Sequence, residues 1–286
     1  MECSGAHLYT VEIQQGDRPF EVTQEHNKYH LQLRTYHELW HKEAALNLLI
    51  NRLPPEAKYI AWIDADITFV NNRWVQETLQ FLQHYEVVQL FSHAQDVCEN
   101  FEPVKDPTKG MQILPSMLYK VVNGLGWDKK AGLAYGLNID FGHPGYAWAA
   151  RRSAIDTFGG LIDWSICGAN DRHMAFGLIG RIAETVHPMM NFAFGNAMEV
   201  WQQRALRLNQ NIGYVPGLIC HHWHGNKVNR RYMDRWKILT DNSFDPYMDI
   251  YRDAQGLYQL SPNKPRLRDD LRQYFTQRNE DAPFTK

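Results

Sequence analysis

Residues 59–70 read YIAWIDADITFV, an apolar run that closes on two aspartates one residue apart, Asp64 and Asp66. No other stretch limits the fold so tightly. Tyr59 to Ile63 have the length and unbroken apolar character of a strand buried on both faces. Open α/β sheets bind ligands beyond the carboxyl ends of their strands, which is where the two carboxylates fall. Alternation sends both side chains to one side of the strand axis. Two hard oxygen donors so placed suit Mg²⁺ or Mn²⁺ shared with a ligand's phosphates. The plainer alternative is that they end a strand and open a turn.

The flanks favour the sheet. In Leu39–Pro55, Trp40, Ala44, Ala45, Leu48, Leu49 and Leu53 recur at helical spacing until Pro54-Pro55 stops them. Asn71-Asn72 signals a turn before the helical stretch RWVQETLQFLQHY, and VVQLFS (Val87–Ser92) reads as the next strand. The order strand, helix, Asp-x-Asp strand, helix, strand predicts an α/β fold with a doubly wound mixed sheet.

Two later segments carry chemistry. In Gly159–Gly180 a helix is expected to start near Asn170-Asp171, with Met174, Ala175, Leu178 and Ile179 as its apolar stripe. Asp171 is there either a helix cap or an acid–base group, with His173 as its rival. In Leu218–Lys237, three histidines surround Trp223 after an apolar strand. Imidazole complements carboxylates around Mn²⁺. Alternation puts His222 and His224 on one face, so that pair is expected at the metal, with His224 favoured because Gly225 follows it. Lys227, Arg230, Arg231, Arg235 and Lys237 form a basic cluster that clamps a diphosphate, lines a polyanionic acceptor site, or is a solvated helix face.

These segments together resemble the GT-A fold glycosyltransferases, in particular the β-1,4-galactosyltransferase-like enzymes and their bacterial and phage relatives. That family carries Phe-Asn-Arg-Ala, Asp-Val-Asp, Gly-Gly-Glu-Asp and a late histidine. This chain has Trp40-His41-Lys42-Glu43, Asp64-Ala65-Asp66, Gly168-Ala169-Asn170-Asp171 and His222-Trp223-His224, in that order, across residues 8–235. The resemblance implies a GT-A domain over residues 1–240; the charged tail over 241–286, with DDLRQYFTQRNED as an amphipathic stretch, reads as a C-terminal helical extension. It implies transfer of a sugar from a nucleotide-diphosphate donor, a UDP-sugar, to a hydroxyl acceptor, inverting, with Asp171 as base. Trp40, Lys42, Asp64, Ala65 and Asp66 would bind the donor, Trp40 against uracil and Lys42 on phosphate. Asp64, Asp66 and His224 or His222 would hold Mn²⁺ or Mg²⁺. Lys42 replaces a forked arginine with a point charge, and Asn170 replaces a glutamate, so one carboxylate is lost.

The resembled pattern opens with an apolar strand ahead of the one that LYTVEI (Leu8–Ile13) matches, and MECSGAH cannot form it. A late start, a loss, or supply by another chain each account for this, and each leaves an open sheet edge or apolar strand face. Two other functions stay open: a non-catalytic sugar- or nucleotide-binding remnant, and a nucleotidyltransferase, which would want a Gly-rich N-terminal loop. The acceptor is a glycan, a small molecule, a protein or a hydroxymethylated DNA base.

Composition narrows the setting. With 30 basic against 32 acidic residues in 286, no global field steers the chain to nucleic acid or membrane. Cys3, Cys98, Cys167 and Cys220 have no metal-type spacing and read as free thiols. No run of 18 apolar residues occurs. A cytoplasmic protein of a bacterium or phage-infected cell, with no membrane partner, is the expectation. Ala94–Gly110 reads as a long loop, and Leu114–Tyr135 as a helix plus connection.

Overall fold

The computed structural model describes residues 5–98, 101–103, 105–106, 110–111, 113–125, 142–225, 227–232 and 234–280. Strands β1 (Thr10–Gln15) and β2 (His30–Thr35) precede helix α1 (Lys42–Ile50), β3 (Tyr59–Ile63), β4 (Ile67–Phe69) and α2 (Trp74–Phe81). Next come β5 (Val87–Gln89), β6 (His93–Val97), β7 (Lys105–Asp106), β8 (Gly110–Met111), β9 (Ile113–Pro115) and α3 (Met117–Val122). After β10 (Ala147–Arg151) follow α4 (Arg152–Phe158), α5 (Asn170–Leu178) and α6 (Phe192–Ala205). The chain ends with β11 (Ile212–Tyr214), β12 (Leu218–His222), α7 (Trp236–Asp241), β13 (Ile250–Arg252), β14 (Tyr258–Leu260) and α8 (Pro265–Arg278).

The fold is mixed α/β, but the single doubly wound layer expected from sequence is divided. One four-stranded sheet runs β11-β5-β10-β3 and a second runs β4-β12-β6-β9; β1-β2, β13-β14 and β7-β8 are separate pairs. The first sheet is mixed, with β10 antiparallel to both β3 and β5, and β11 parallel to β5. The division has a local cause. The chain leaves the first sheet at the end of β3 and, after three intervening residues, enters the second as β4; it does the same between β5 and β6. VVQLFS is therefore a three-residue strand followed by a crossing. Ala94–Val97, expected in a loop, is strand, held by pairing to β12. Residues 126–135 of the expected helix and connection lie outside the described residues.

Strand pairing sets the site. β12 lies between β4 and β6, with His221 opposite Ile67 on one side and Asp96 on the other. Asp66, one residue before Ile67, is thereby brought to His221. The backbone N–H of His222 donates to the Asp66 carbonyl at 2.9 Å and fixes that corner.

Beyond residue 240 the chain is more than a helical extension. Leu267, Leu271 and Tyr274 of α8 are buried in the largest apolar cluster, with Trp148, Phe158 and Trp201. Leu257, beside β14, is buried with Leu31, Leu33, Ala44 and Leu49 under the β1-β2 pair. Among the described residues β1 pairs only with β2, and β3 only with β10. Both strands line one cleft of ≈ 2160 Å³, with α1 and α2 forming further walls. No described helix is long and apolar enough to cross a membrane.

Candidate functional site

Three candidate metal ligands meet in the cleft: Asp66, His221 and His224, with one ligand atom of each within 4.8 Å of the others. His224 Nε2 stands 2.7 Å from Asp66 Oδ2 and 3.0 Å from His221 Nε2. His221 Nε2 is 3.4 Å from the same carboxylate oxygen. Asp66 Oδ1 is buried with no hydrogen-bond partner. One carboxylate and two imidazoles are a donor set that suits Mn²⁺. A buried, unused carboxylate oxygen beside them marks where a cation fits. Burial pushes the Asp66 pKa up, but hydrogen bonds from His221 and His224 outweigh it and hold the carboxyl well below its ordinary value.

His222, expected from sequence as a ligand, is not in this group. Its Nε2 is 2.9 Å from Thr68 Oγ1, and its ring meets Phe101 edge-on at 4.8 Å. Alternation holds only within β12, which ends at His222; the chain then turns through Trp223 and Gly225 (φ 85°), carrying His224 back toward Asp66. Ile219 and His221 are the buried positions of that strand, so the inward face belongs to His221. The apolar Ile219 two residues earlier is the signal that could have shown this. Gly225 makes room for protein backbone: a Cβ there would lie 2.9 Å from the carbonyl oxygen of Asn279.

Asp96 is a second residue that sequence reasoning misses. Its Oδ1 lies 2.7 Å from His221 Nδ1, so His221 is gripped by a carboxylate on each ring nitrogen. Burial lowers the His221 pKa, but the two aspartates more than offset this and raise it. A carboxylate behind a ligand histidine fixes its tautomer and ring orientation.

Asp64 does not join the group. It forms an ion pair with Lys42 at the start of α1. Burial raises the Asp64 pKa against the pull of that lysine. Lys42, despite its own burial, is raised by Asp64. Ala65 lines the cleft between the two aspartates.

The Trp40–Glu43 and Gly168–Asp171 segments come together. Glu43 Oε2 accepts from Trp40 Nε1 and from Asn170 Nδ2, both at 2.8 Å. The resembled pattern has Ala and Glu at the positions of Glu43 and Asn170. Here the carboxylate stands in the first turn of α1 and the amide at the start of α5. Arg278 lies over the Trp40 ring at 4.9 Å and Gly168 closes against the indole, so one ring face expected for a base carries a guanidinium.

Asp171 lines the cleft from the first turn of α5. It is not the helix cap: that position is Ala169, in the left-handed region at φ 70°, with no side-chain cap bond. Asp171 Oδ1 accepts from the adjacent Arg172 N–H at 2.7 Å. A Cβ at residue 145 would collide with Asp171 Oδ2, so Gly145 is what allows the carboxylate its place. His173 is removed as a rival base. It is fully buried in the core, Nδ1 is 2.6 Å from Thr185 Oγ1, and Phe194 and Trp236 pack edge-on against it. Burial holds its pKa well below the ordinary value.

The basic cluster divides. Arg230 and Arg235 are buried and line the cleft, Arg231 pairs with Asp234 at 3.1 Å, and Lys237 is exposed. The side chain of Lys227 lies outside the described residues. Cys98, Cys167 and Cys220 are free thiols, and Cys3 also lies outside the described residues.

No family model, curated protein or solved structure matches the chain. What it does is therefore read from its own residues.

Proposed function

We propose that the chain is a metal-dependent glycosyltransferase of GT-A type that takes a sugar from a nucleotide-diphosphate donor, a UDP-sugar, to a hydroxyl acceptor. The observation that carries the reading is the convergence of Asp66, His221 and His224, with an unused Asp66 oxygen, at the end of an apolar strand in a large cleft. Asp66, His221 and His224 would hold Mn²⁺ or Mg²⁺, with Asp96 orienting His221. A bound divalent ion supplies charge neutralisation for a departing diphosphate.

This chain's own residues do the rest. Lys42 and Asp64 form a paired wall beside the ligands, from which Lys42 reaches phosphate by exchanging partners. Asp171, in the same cleft, accepts the proton of the acceptor hydroxyl as that oxygen attacks the anomeric carbon. Stereochemical inversion follows from a single in-line displacement, and is part of the proposal.

Thermal unfolding with and without Mn²⁺ and UDP tests the donor site. Wild type should gain stability from UDP only with Mn²⁺ present, and Asp66→Ala should lose that gain. Equal gains in the two proteins would remove Asp66 from the site. Asp171→Asn should keep Mn²⁺–UDP binding and cut donor turnover by ~10²–10⁴-fold. Transfer within a few-fold of wild type would take the base role from Asp171. Asn170, where the resembled pattern has a carboxylate, favours a second reading, a remnant that binds donor without turning it over. Mn²⁺-dependent UDP binding with no sugar-nucleotide hydrolysis across a donor panel would select it.

A further inference from the structure

Arg230, Arg235 and Arg278 line the cleft although they are only 7 %, 6 % and 6 % exposed. Buried guanidinium groups ordinarily have carboxylate partners. Among the described residues the one carboxylate ion-paired to any of the three is Glu280, on Arg278. The Nε of each, and Nη1 of Arg278, have no hydrogen-bond partner. Arg230 faces the metal ligands, its Nη2 3.0 Å from the His224 ring nitrogens.

Arg235 and Arg278 face elsewhere. Arg235 lies over the Tyr232 and Trp236 rings at 5.1 and 5.9 Å, with Nη1 3.5 Å from Tyr274 Oη. Arg278 lies over Trp40 at 4.9 Å. Both border Gly168: a Cβ there would be 3.4 Å from Arg235 Nη1 and 3.1 Å from the Trp40 ring that Arg278 covers. Gly168 opens the turn that carries Asp171. Rings hold both guanidiniums in place; Glu280 neutralises Arg278, whereas Arg235 has no carboxylate partner among the described residues, which leaves positive charge on the cleft wall.

We propose that Arg235 and Arg278 bind an oxyanion group, phosphate or carboxylate, on the acceptor whose hydroxyl Asp171 serves. This rests on the glycosyltransferase reading and makes the acceptor an acidic sugar or phosphorylated molecule. Two forked cations beside each other match the oxygens of such a group. The donor diphosphate is assigned to Asp66, His221, His224 and Arg230; Glu280, the partner of Arg278, stands 3.9 Å from His224 Nδ1 and joins the two groups.

Calorimetry on metal-free protein tests this with inorganic phosphate, glucose 6-phosphate and glucose, in parallel with Mn²⁺–UDP titrations. Wild type should bind phosphate and glucose 6-phosphate but not glucose. Arg235→Gln and Arg278→Gln should each weaken phosphate binding by about tenfold or more, as expected for loss of one charge-assisted contact. Both should keep Mn²⁺–UDP affinity within about threefold, a change well under one such contact. Arg278→Lys, which keeps the charge and lessens any folding defect, should recover part of the loss. Circular dichroism and melting temperature separate misfolding from lost binding. No phosphate binding by wild type at about 10 mM, weaker than specific recognition allows, would overturn the proposal. So would variants that bind phosphate as wild type does, or that lose Mn²⁺–UDP in proportion, which would give the arginines to the donor. Arginine-dependent phosphate binding in a protein that ignores Mn²⁺–UDP would keep the anion site and sink the transferase reading.

Discussion

Glu43 is 2 % exposed and accepts hydrogen bonds from Trp40 and Asn170 on one carboxylate oxygen. Burial is the largest influence on it and, with Asp171 nearby, pushes its pKa from 4.5 up to about 7, against the pull of Lys42. A carboxyl whose folded pKa lies above its unfolded one favours the folded state in its protonated form. That stability is complete below about pH 4.5 and is lost as pH rises through about 7. Glu43→Gln removes the titration while keeping an oxygen for both donors. The variant should therefore gain on wild type between these pH values, by at most about 3 kcal/mol, since a tenfold change in a proton-binding constant corresponds to about 1.36 kcal/mol. Urea midpoints measured from pH 4.5 to 8 give the difference. Parallel pH profiles for the two proteins would mean that Glu43 does not titrate in this window.

At the scale of elements, the site is made by register rather than by any one motif. β12 places His221 opposite Asp96 on β6 and next to the corner that carries Asp66. Asp96→Asn should leave the strands paired, weaken Mn²⁺ binding about 10–100-fold and leave Asp66 and His224 in place, the usual scale for loss of an outer-shell carboxylate. Mn²⁺ titration by electron paramagnetic resonance reads the change directly; an unchanged affinity would place Asp96 outside the site. The sequence shows β3, α1 and α5 to within a few residues, because an unbroken apolar run or a helical apolar stripe marks each of them. It shows Asp66 and His224, because a carboxylate at a strand end and a histidine-rich strand end are local signals. His221 and Asp96 are not legible in it, because which neighbour β12 chooses depends on residues 120 or more positions away. β2 is legible yet escapes the reading above: HLQLRT alternates, with Leu31, Leu33 and Thr35 facing inward.

At the scale of the whole molecule, the first sheet divides the two larger apolar clusters: Trp148 and Ala150 of β10 belong to one and Ala147 and Ala149 to the other. One gathers β10, α4, α5, α6 and α8; a second lies around Val88, Phe91 and Ile219; the smallest lies beneath β1 and β2. β10 is paired on both sides, whereas among the described residues β1 and β3 each leave one edge unpaired beside the cleft. Unpaired edges and a small separate core belong to the low end of the local-stability range. Backbone amides of β1 and β2 should therefore exchange with solvent through a local opening, at lower free energy than those of β5 and β10. Leu33 is 3 % exposed within the smallest cluster, and Leu33→Ala should cost about 2–5 kcal/mol there. In native-state hydrogen exchange the cost should fall on the amides of β1, β2 and α1 first. Protection in β10 should change only as far as global unfolding does. A uniform loss of protection across β1, β2, β5 and β10 would instead show that the molecule opens as one unit, with the clefted side as tightly coupled as the rest.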